Sequence, residues 1–320
     1  MKVLIIGGGG MVGQKLARRL ADLGALDGKP ITGLTLADIN DPAPVEAPFP
    51  VSCVTCDISD RASVDQIIAS DVDMIYLLAA VVSAHAEEDF DFGYRINMYG
   101  TINVLDRARA LGTRPRLVFT SSIAVFGGEV PQPYGDNSAL NPQISYGTQK
   151  LIGELLVEDY SRKGFIDGRG FRLPTISVRP GAPNRAASGF MSSIFREPLQ
   201  GVAANCPVDR DFPHFYLSPR QCVENLVRAA EIDEAAFGKR RCMTMPGRVW
   251  TIGQMIDAMT AVAGPEPARL ITWEPQPEIA GILDGWRLDI RPEKAASLGM
   301  KADDSFEDNI RYFLEDDLPG

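Results

Sequence analysis

The amino-terminal stretch constrains the fold of this chain more than any other. Lys2-Val3-Leu4-Ile5-Ile6 is an apolar run of strand length. Gly7-Gly8-Gly9-Gly10-Met11-Val12-Gly13 follows at once, and Gln14 to Leu23 then puts Leu16, Leu20 and Leu23 on one helical face. A strand, a glycine turn and a helix in that order form the loop that a dinucleotide needs. The glycines let the backbone turn sharply and approach a pyrophosphate, which rests on the helix amino terminus. The spacing here is Gly7-x-x-Gly10-x-x-Gly13. In any other context a glycine cluster would say little.

Further strands are expected at the same rhythm. The second, Ile31 to Ala37, ends at Asp38, where an acid accepts hydrogen bonds from adenosine ribose hydroxyls and repels a 2′-phosphate, favouring NAD over NADP. The proline-rich 41–50 segment reads as loop. The third strand, Val51 to Cys56, delivers Asp57-Ile58 as an adenine contact, and the fourth, Met74 to Ala80, runs through Leu78 into the small residues Ala79-Ala80, which let backbone pass close to the cofactor. A helical stretch over 92–111 carries Asn97, which either touches the cofactor or organises backbone. The fifth strand, Arg116 to Thr120, ends in Ser121-Ser122. Apolar strands alternating with helices specify an α/β fold with a doubly wound parallel sheet, whose ligands bind beyond the strands' carboxyl ends. Gly7–Gly13, Asp38, Asp57, Ala79–Ala80 and Ser122 all fall at such ends.

One helix later comes Ser145-Tyr146-Gly147-Thr148-Gln149-Lys150. Residues four apart share a helix face. A phenol with its usual pKa of about 10 is a poor base at neutral pH. A lysine cation close by, with any cationic cofactor ring, stabilises the phenolate and lowers that value. Such a pair accepts a proton from an alcohol while a hydride leaves elsewhere.

Composition narrows the class. Apolar content of 45% and charged content of 23% are those of a globular protein. The longest apolar run, Met74 to Val82, falls well short of the ~20 residues that span a bilayer, so no membrane role is expected. A net charge of −10 without a basic block argues against nucleic acid. Five scattered cysteines and no export signal suggest reduced thiols in a cytoplasm. Cys53-x-x-Cys56 lies in a strand-like run with only His85 and His214 elsewhere, so no metal is expected.

Together Gly7-x-x-Gly10-x-x-Gly13, Asp38, Asp57-Ile58, Leu78-Ala79-Ala80, Asn97-x-x-Gly100-Thr101, Ser121-Ser122 and Tyr146-x-x-x-Lys150 resemble the extended short-chain dehydrogenase/reductase superfamily, which includes NAD-dependent epimerases and dehydratases. Ile6 departs from it, since many members have threonine there. Runs such as 153–165, Arg172-Leu173-Pro174-Thr175-Ile176-Ser177-Val178-Arg179-Pro180 and Trp273-Glu274-Pro275 are similar to the D-erythronate dehydrogenase group. The resemblance implies a Rossmann fold with a smaller carboxy-terminal substrate lobe. It implies that Ser122 and Tyr146 hold the reacting hydroxyl, that Tyr146 takes its proton, and that Lys150 holds the nicotinamide ribose. Met11, Val12, Thr120 and Leu173 join the cofactor contacts on the same ground. Its members commonly dimerise, so a homodimer is expected.

The second half is expected to select a small sugar acid. Residues 181–213 read as irregular structure over the site mouth, and a planar guanidinium suits a carboxylate. Arg179, Asn184 and Arg185 are the candidates, with Ser83 and Thr175. The expected division is 1–178 with about 214–236 for the cofactor, and 179–213 with 237–320 for the substrate. The rival is a nucleotide-sugar epimerase or dehydratase. Such enzymes usually have asparagine where Thr175 stands, and a dehydratase has an acid beside the serine, where this chain has Ile123 and Ala124. A regulator that senses NAD without catalysis would have lost Tyr146 or Lys150, and both are present.

Overall fold

The structure is a computed structural model that describes residues 1–181, 187–276 and 285–318. Strand β1 (Lys2–Ile6) alternates its side chains between two faces: Val3 and Ile5 pack with Leu16 and Leu20, whereas Leu4 and Ile6 pack with Ile75, Leu77 and Val104. Each face thus needs its own helical layer. Helix α1 (Met11–Leu23) supplies one, ended by Gly24 in the left-handed conformation. Strands β2 (Gly33–Asp38), β3 (Val51–Thr55), β4 (Met74–Leu77), β5 (Arg116–Ser122) and β6 (Asp167–Leu173) pair with it in parallel, giving the order β6-β5-β4-β1-β2-β3. The order reverses between β1 and β4, the crevice where ligands of such sheets bind. Each fully buried leucine or isoleucine in these layers contributes about 1.5–3 kcal/mol.

Three expectations are corrected. Residues 242–244, assigned to the small lobe, form an edge strand beside β6, with Cys242 opposite Gly170. The 92–111 stretch is not one regular helix: Tyr94–Gly100 widens into π turns before a regular helix over Thr101–Leu111. The buried Asn97 explains the widening, since its amide bonds the Val81 N–H and carbonyl and the Gln149 Oε1. Residues 181–213, expected to be irregular, contain helix Phe190–Arg196, because Phe190, Ile194 and Phe195 share a buried face. That face packs with Ile252, Met255, Met259, Ile310 and Phe313 as the core of the small lobe.

The chain returns to the sheet through Pro213–Leu217, which pairs with Arg248–Thr251 and Thr175–Ile176. Ser218 then caps helix Pro219–Glu231, its hydroxyl accepting from the Gln221 N–H as expected. All five cysteines are free thiols. Among the described residues no helix is long and apolar enough to cross a membrane.

Candidate active site

A cleft of about 680 Å³ opens at the carboxyl ends of β1, β4 and β5 and runs under the small lobe. At its inner end lie Gly7, Gly10, Met11, Val12 and Gly13. Gly13 is required there, because a Cβ would stand 2.2 Å from the Gly7 carbonyl oxygen. Gly10 precedes α1 without any side-chain cap, so the N–H groups of the first turn face the cleft unclaimed by a side chain. Asp38 closes the turn from β2, its Oδ2 accepting from the Gly9 N–H at 2.9 Å. N–H donors at an uncapped helix start, close-packed glycines and an acceptor carboxylate at the β2 tip together fit a dinucleotide.

Helix α2 (Ser145–Arg162) carries Tyr146 and Lys150. Its first N–H, from Ser145, donates to Glu87 Oε2 at 2.7 Å. Gly147 lets the helix approach the β5 turn, since a Cβ there would lie 2.1 Å from the Ala124 carbonyl oxygen. That approach sets Tyr146 beside Ser122 on the cleft lining, where the Ser122 hydroxyl accepts from the Ala124 N–H at 3.1 Å. Lys150 is buried beside them. Its Nζ donates to the Thr120 carbonyl at 2.8 Å and sits 5.7 Å from the Tyr146 ring centroid.

The electrostatics differ from the expectation of a phenol lowered by lysine. Burial pushes the Tyr146 phenol up to about 12, while the Ser122 hydroxyl and the Arg179 guanidinium pull it back. Burial also lowers Lys150 to about 8, against the pull of Glu154 one turn further on. Glu154 is itself buried, clamped by both Nε and Nη2 of Arg172 and by the Ser121 hydroxyl. Sequence reading passed over this pair, whose members sit 18 positions apart on different elements.

The outer wall comes from the second half of the chain. Arg179 donates through Nη2 to the Ser188 carbonyl at 2.9 Å, and its backbone carbonyl accepts from Arg196 Nη1. Desolvation and the neighbouring Arg196 lower the Arg179 guanidinium to about 10. Among the described residues no carboxylate forms an ion pair with Arg179. Thr175 lines the cleft beside His214, which was not singled out as a site residue; Thr175 Oγ1 and His214 Nε2 are 2.7 Å apart. His214 Nδ1 lies 2.8 Å from the Trp286 carbonyl. Nothing in the apolar run Pro213–Leu217 marked that histidine as anything but core.

Of the other candidates, Leu78, Ala80, Ser83, Thr120 and Leu173 line the cleft. Asp38, Asp57, Ile58, Ala79 and Asn97 do not. Asp57 Oδ1 accepts from the Ser59 N–H and hydroxyl, Ile58 is core, and Asn97 organises the β4 loop. Asn184 and Arg185 lie outside the described residues.

Burial lowers His214 to about 4, from an ordinary 6.5. The unfolded chain therefore binds this proton at a higher pH than the folded one, so stability is full above pH 6.5 and falls as pH drops toward 4. By pH 4 the loss from this group is about 3 kcal/mol. Denaturant titrations of the parent and of His214→Gln at pH 7 and pH 4 should differ by that amount in their pH dependence; parallel losses would show that His214 is not buried neutral.

Residues 3–211 match the NAD dependent epimerase/dehydratase family. The chain is 48% identical over 320 residues to the D-erythronate dehydrogenase of Cupriavidus necator, covering 99% of this chain and 98% of that one. It is 41% identical over 319 residues to the D-erythronate dehydrogenase of Haemophilus influenzae, with 99% and 100% covered. A crystal structure described as the nucleoside-diphosphate-sugar epimerase from Agrobacterium tumefaciens superposes with a TM-score of 0.95 at 46% identity, covering 99% of this chain and 94% of that one. With a strand-end glycine cradle, a Ser-Tyr-Lys constellation and these matches in agreement, the chain belongs to the NAD dependent epimerase/dehydratase family.

Proposed function

We propose that this chain oxidises a small sugar acid with NAD, D-erythronate to 2-dehydro-D-erythronate, in the cleft between sheet and small lobe. The observation that carries the acid is Arg179: a guanidinium in the cleft, close enough to Tyr146 to act on its phenol, with its described hydrogen bonds going to serines and a carbonyl. A desolvated cation beside the reacting hydroxyl favours a carboxylate there. The names of the relatives from Cupriavidus necator and Haemophilus influenzae agree with that reading.

In this reading Ser122 and Tyr146 hydrogen-bond the substrate hydroxyl and Tyr146 accepts its proton. NAD, when bound, supplies the hydride acceptor for the carbinol carbon. Lys150, anchored to the Thr120 carbonyl, keeps further N–H donors for the nicotinamide ribose. Gly7, Gly10, Met11, Val12 and Gly13 cradle the pyrophosphate and Asp38 takes the adenosine ribose. Residues 1–178 with 214–236 and the edge strand 242–244 hold the cofactor, and the remainder shapes the substrate site. The protein works as a cytoplasmic homodimer, by analogy with its family. The name carried by the Agrobacterium tumefaciens relative is that of a nucleoside-diphosphate-sugar epimerase; such an enzyme would use the same Ser-Tyr-Lys core but would need no cation at the reacting carbon.

Arg179→Met tests the assignment. The KM for D-erythronate should rise about 10–100-fold, as befits a lost charged hydrogen bond, with the NAD dissociation constant unchanged. An unaltered KM would remove Arg179 from the substrate site.

A further inference from the structure

The hydroxyl of Thr175 has its direction fixed by two groups behind it. The Trp286 carbonyl can only accept, so at 2.8 Å the proton of His214 belongs on Nδ1. A neutral ring carries one proton, which leaves Nε2 as an acceptor at 2.7 Å from Thr175 Oγ1. The Thr175 O–H therefore donates backwards, and what remains of that oxygen is lone pairs. The histidine is held in this state by its surroundings: it is 2% exposed, its ring lies edge-on to Tyr216 at 5.2 Å and stacks on Trp286 at 5.9 Å. Thr175 lines the same cleft as Tyr146 and Arg179.

We propose that Thr175, oriented by His214, reads a non-reacting hydroxyl of the substrate by offering it an acceptor only. This rests on the sugar-acid reading above and adds the polarity of one subsite to it. An acceptor at that point accommodates a ligand O–H and rejects a carboxylate or ketone oxygen, which would meet lone pairs with lone pairs. An ammonium would also satisfy it, but Arg179 and Lys150 on the same cleft disfavour a third cation. Thr175 is thus the binding residue and His214 a positioning residue.

The test compares kcat/KM for D-erythronate with its 3-deoxy and 4-deoxy analogues in the holoenzyme. The parent should lose about 10–100-fold on removal of the hydroxyl that is read. Thr175→Val should lose a similar factor on D-erythronate and then discriminate that analogue less than about threefold, whereas Thr175→Ser keeps the discrimination. His214→Leu, which frees the Thr175 O–H to donate as well as accept, should keep that discrimination but lose the parent's preference for the hydroxyl over a ketone oxygen at the same carbon. His214→Gln, whose amide oxygen can stand where Nε2 stood, should behave like the parent. Unchanged discrimination in Thr175→Val, or an unchanged preference for hydroxyl over ketone in folded His214→Leu, overturns the inference while leaving the sugar-acid reading intact. Failure of the parent enzyme to reduce NAD with D-erythronate overturns both.

Discussion

Tyr146→Phe is expected to lower kcat for sugar-acid oxidation by about 10²- to 10⁴-fold, with the dissociation constant of NAD changed less than about threefold. The substitution removes one oxygen and leaves the ring between Ser122 and Lys150. That oxygen is the only phenol in the cleft lining among the described residues, and the neighbouring Ser122 hydroxyl favours its ionised form. Ser122 alone is no base at neutral pH, and Lys150 is committed to the Thr120 carbonyl. Because burial holds the phenol near 12, the parent's oxidation rate should climb with pH across the neutral range, and whatever cation lies against the ring will lower the midpoint. Single-turnover absorbance of the reduced cofactor, with NAD affinity by calorimetry, separates the two quantities. Turnover retained in the phenylalanine variant would take the base assignment away from Tyr146.

Glu154→Ala should be the most damaging change away from the reacting atoms. It removes the carboxylate that both Arg172 nitrogens and Ser121 share, and strands a guanidinium that is 3% exposed. Breaking one partner out of a buried pair costs about 3–5 kcal/mol. Against a total fold stability of about 5–15 kcal/mol, that is a third or more for many domains. The pair also reaches the site: Glu154 supports the charge of Lys150, so its loss should push that lysine below about 8. Replacing both residues together, Glu154→Met with Arg172→Met, should recover much of the stability because no charge is left unpaired. Urea unfolding of the two single variants and the double variant measures the coupling; a single-variant cost under about 1 kcal/mol would mean the pair is solvated.

The sheet was readable because each strand announces itself locally and its last residues carry the motif. Ile6 before Gly7, Ala37 before Asp38 and Thr120 before Ser122 are sequence neighbours, so their convergence follows from parallel pairing alone. Tyr146, Lys150 and Glu154 stack on one helix face at four-residue steps, yet only the first two carry a pattern with a known chemistry. The outer wall of the cleft was less legible for a geometric reason. Thr175, His214 and Trp286 are separated by 39 and 72 positions, and only tertiary packing brings them together. Helix Phe190–Arg196 hid behind the glycine, proline and serine around it, where local composition suggests loop and burial of Phe190, Ile194 and Phe195 decides otherwise. The rise of the Tyr146 phenol escaped sequence reasoning because charge neighbours can be guessed from spacing, whereas desolvation depends on what covers the ring.

The most direct measurement is net formation of reduced NAD by the purified protein, with D-erythronate, other four-carbon and six-carbon sugar acids, and nucleotide sugars offered in parallel. A cleft that sets Arg179 beside Tyr146 predicts steady reduction of NAD with D-erythronate and none with the nucleotide sugars. Interconversion of nucleotide sugars without net reduction of NAD, and no response to any sugar acid, would contradict it.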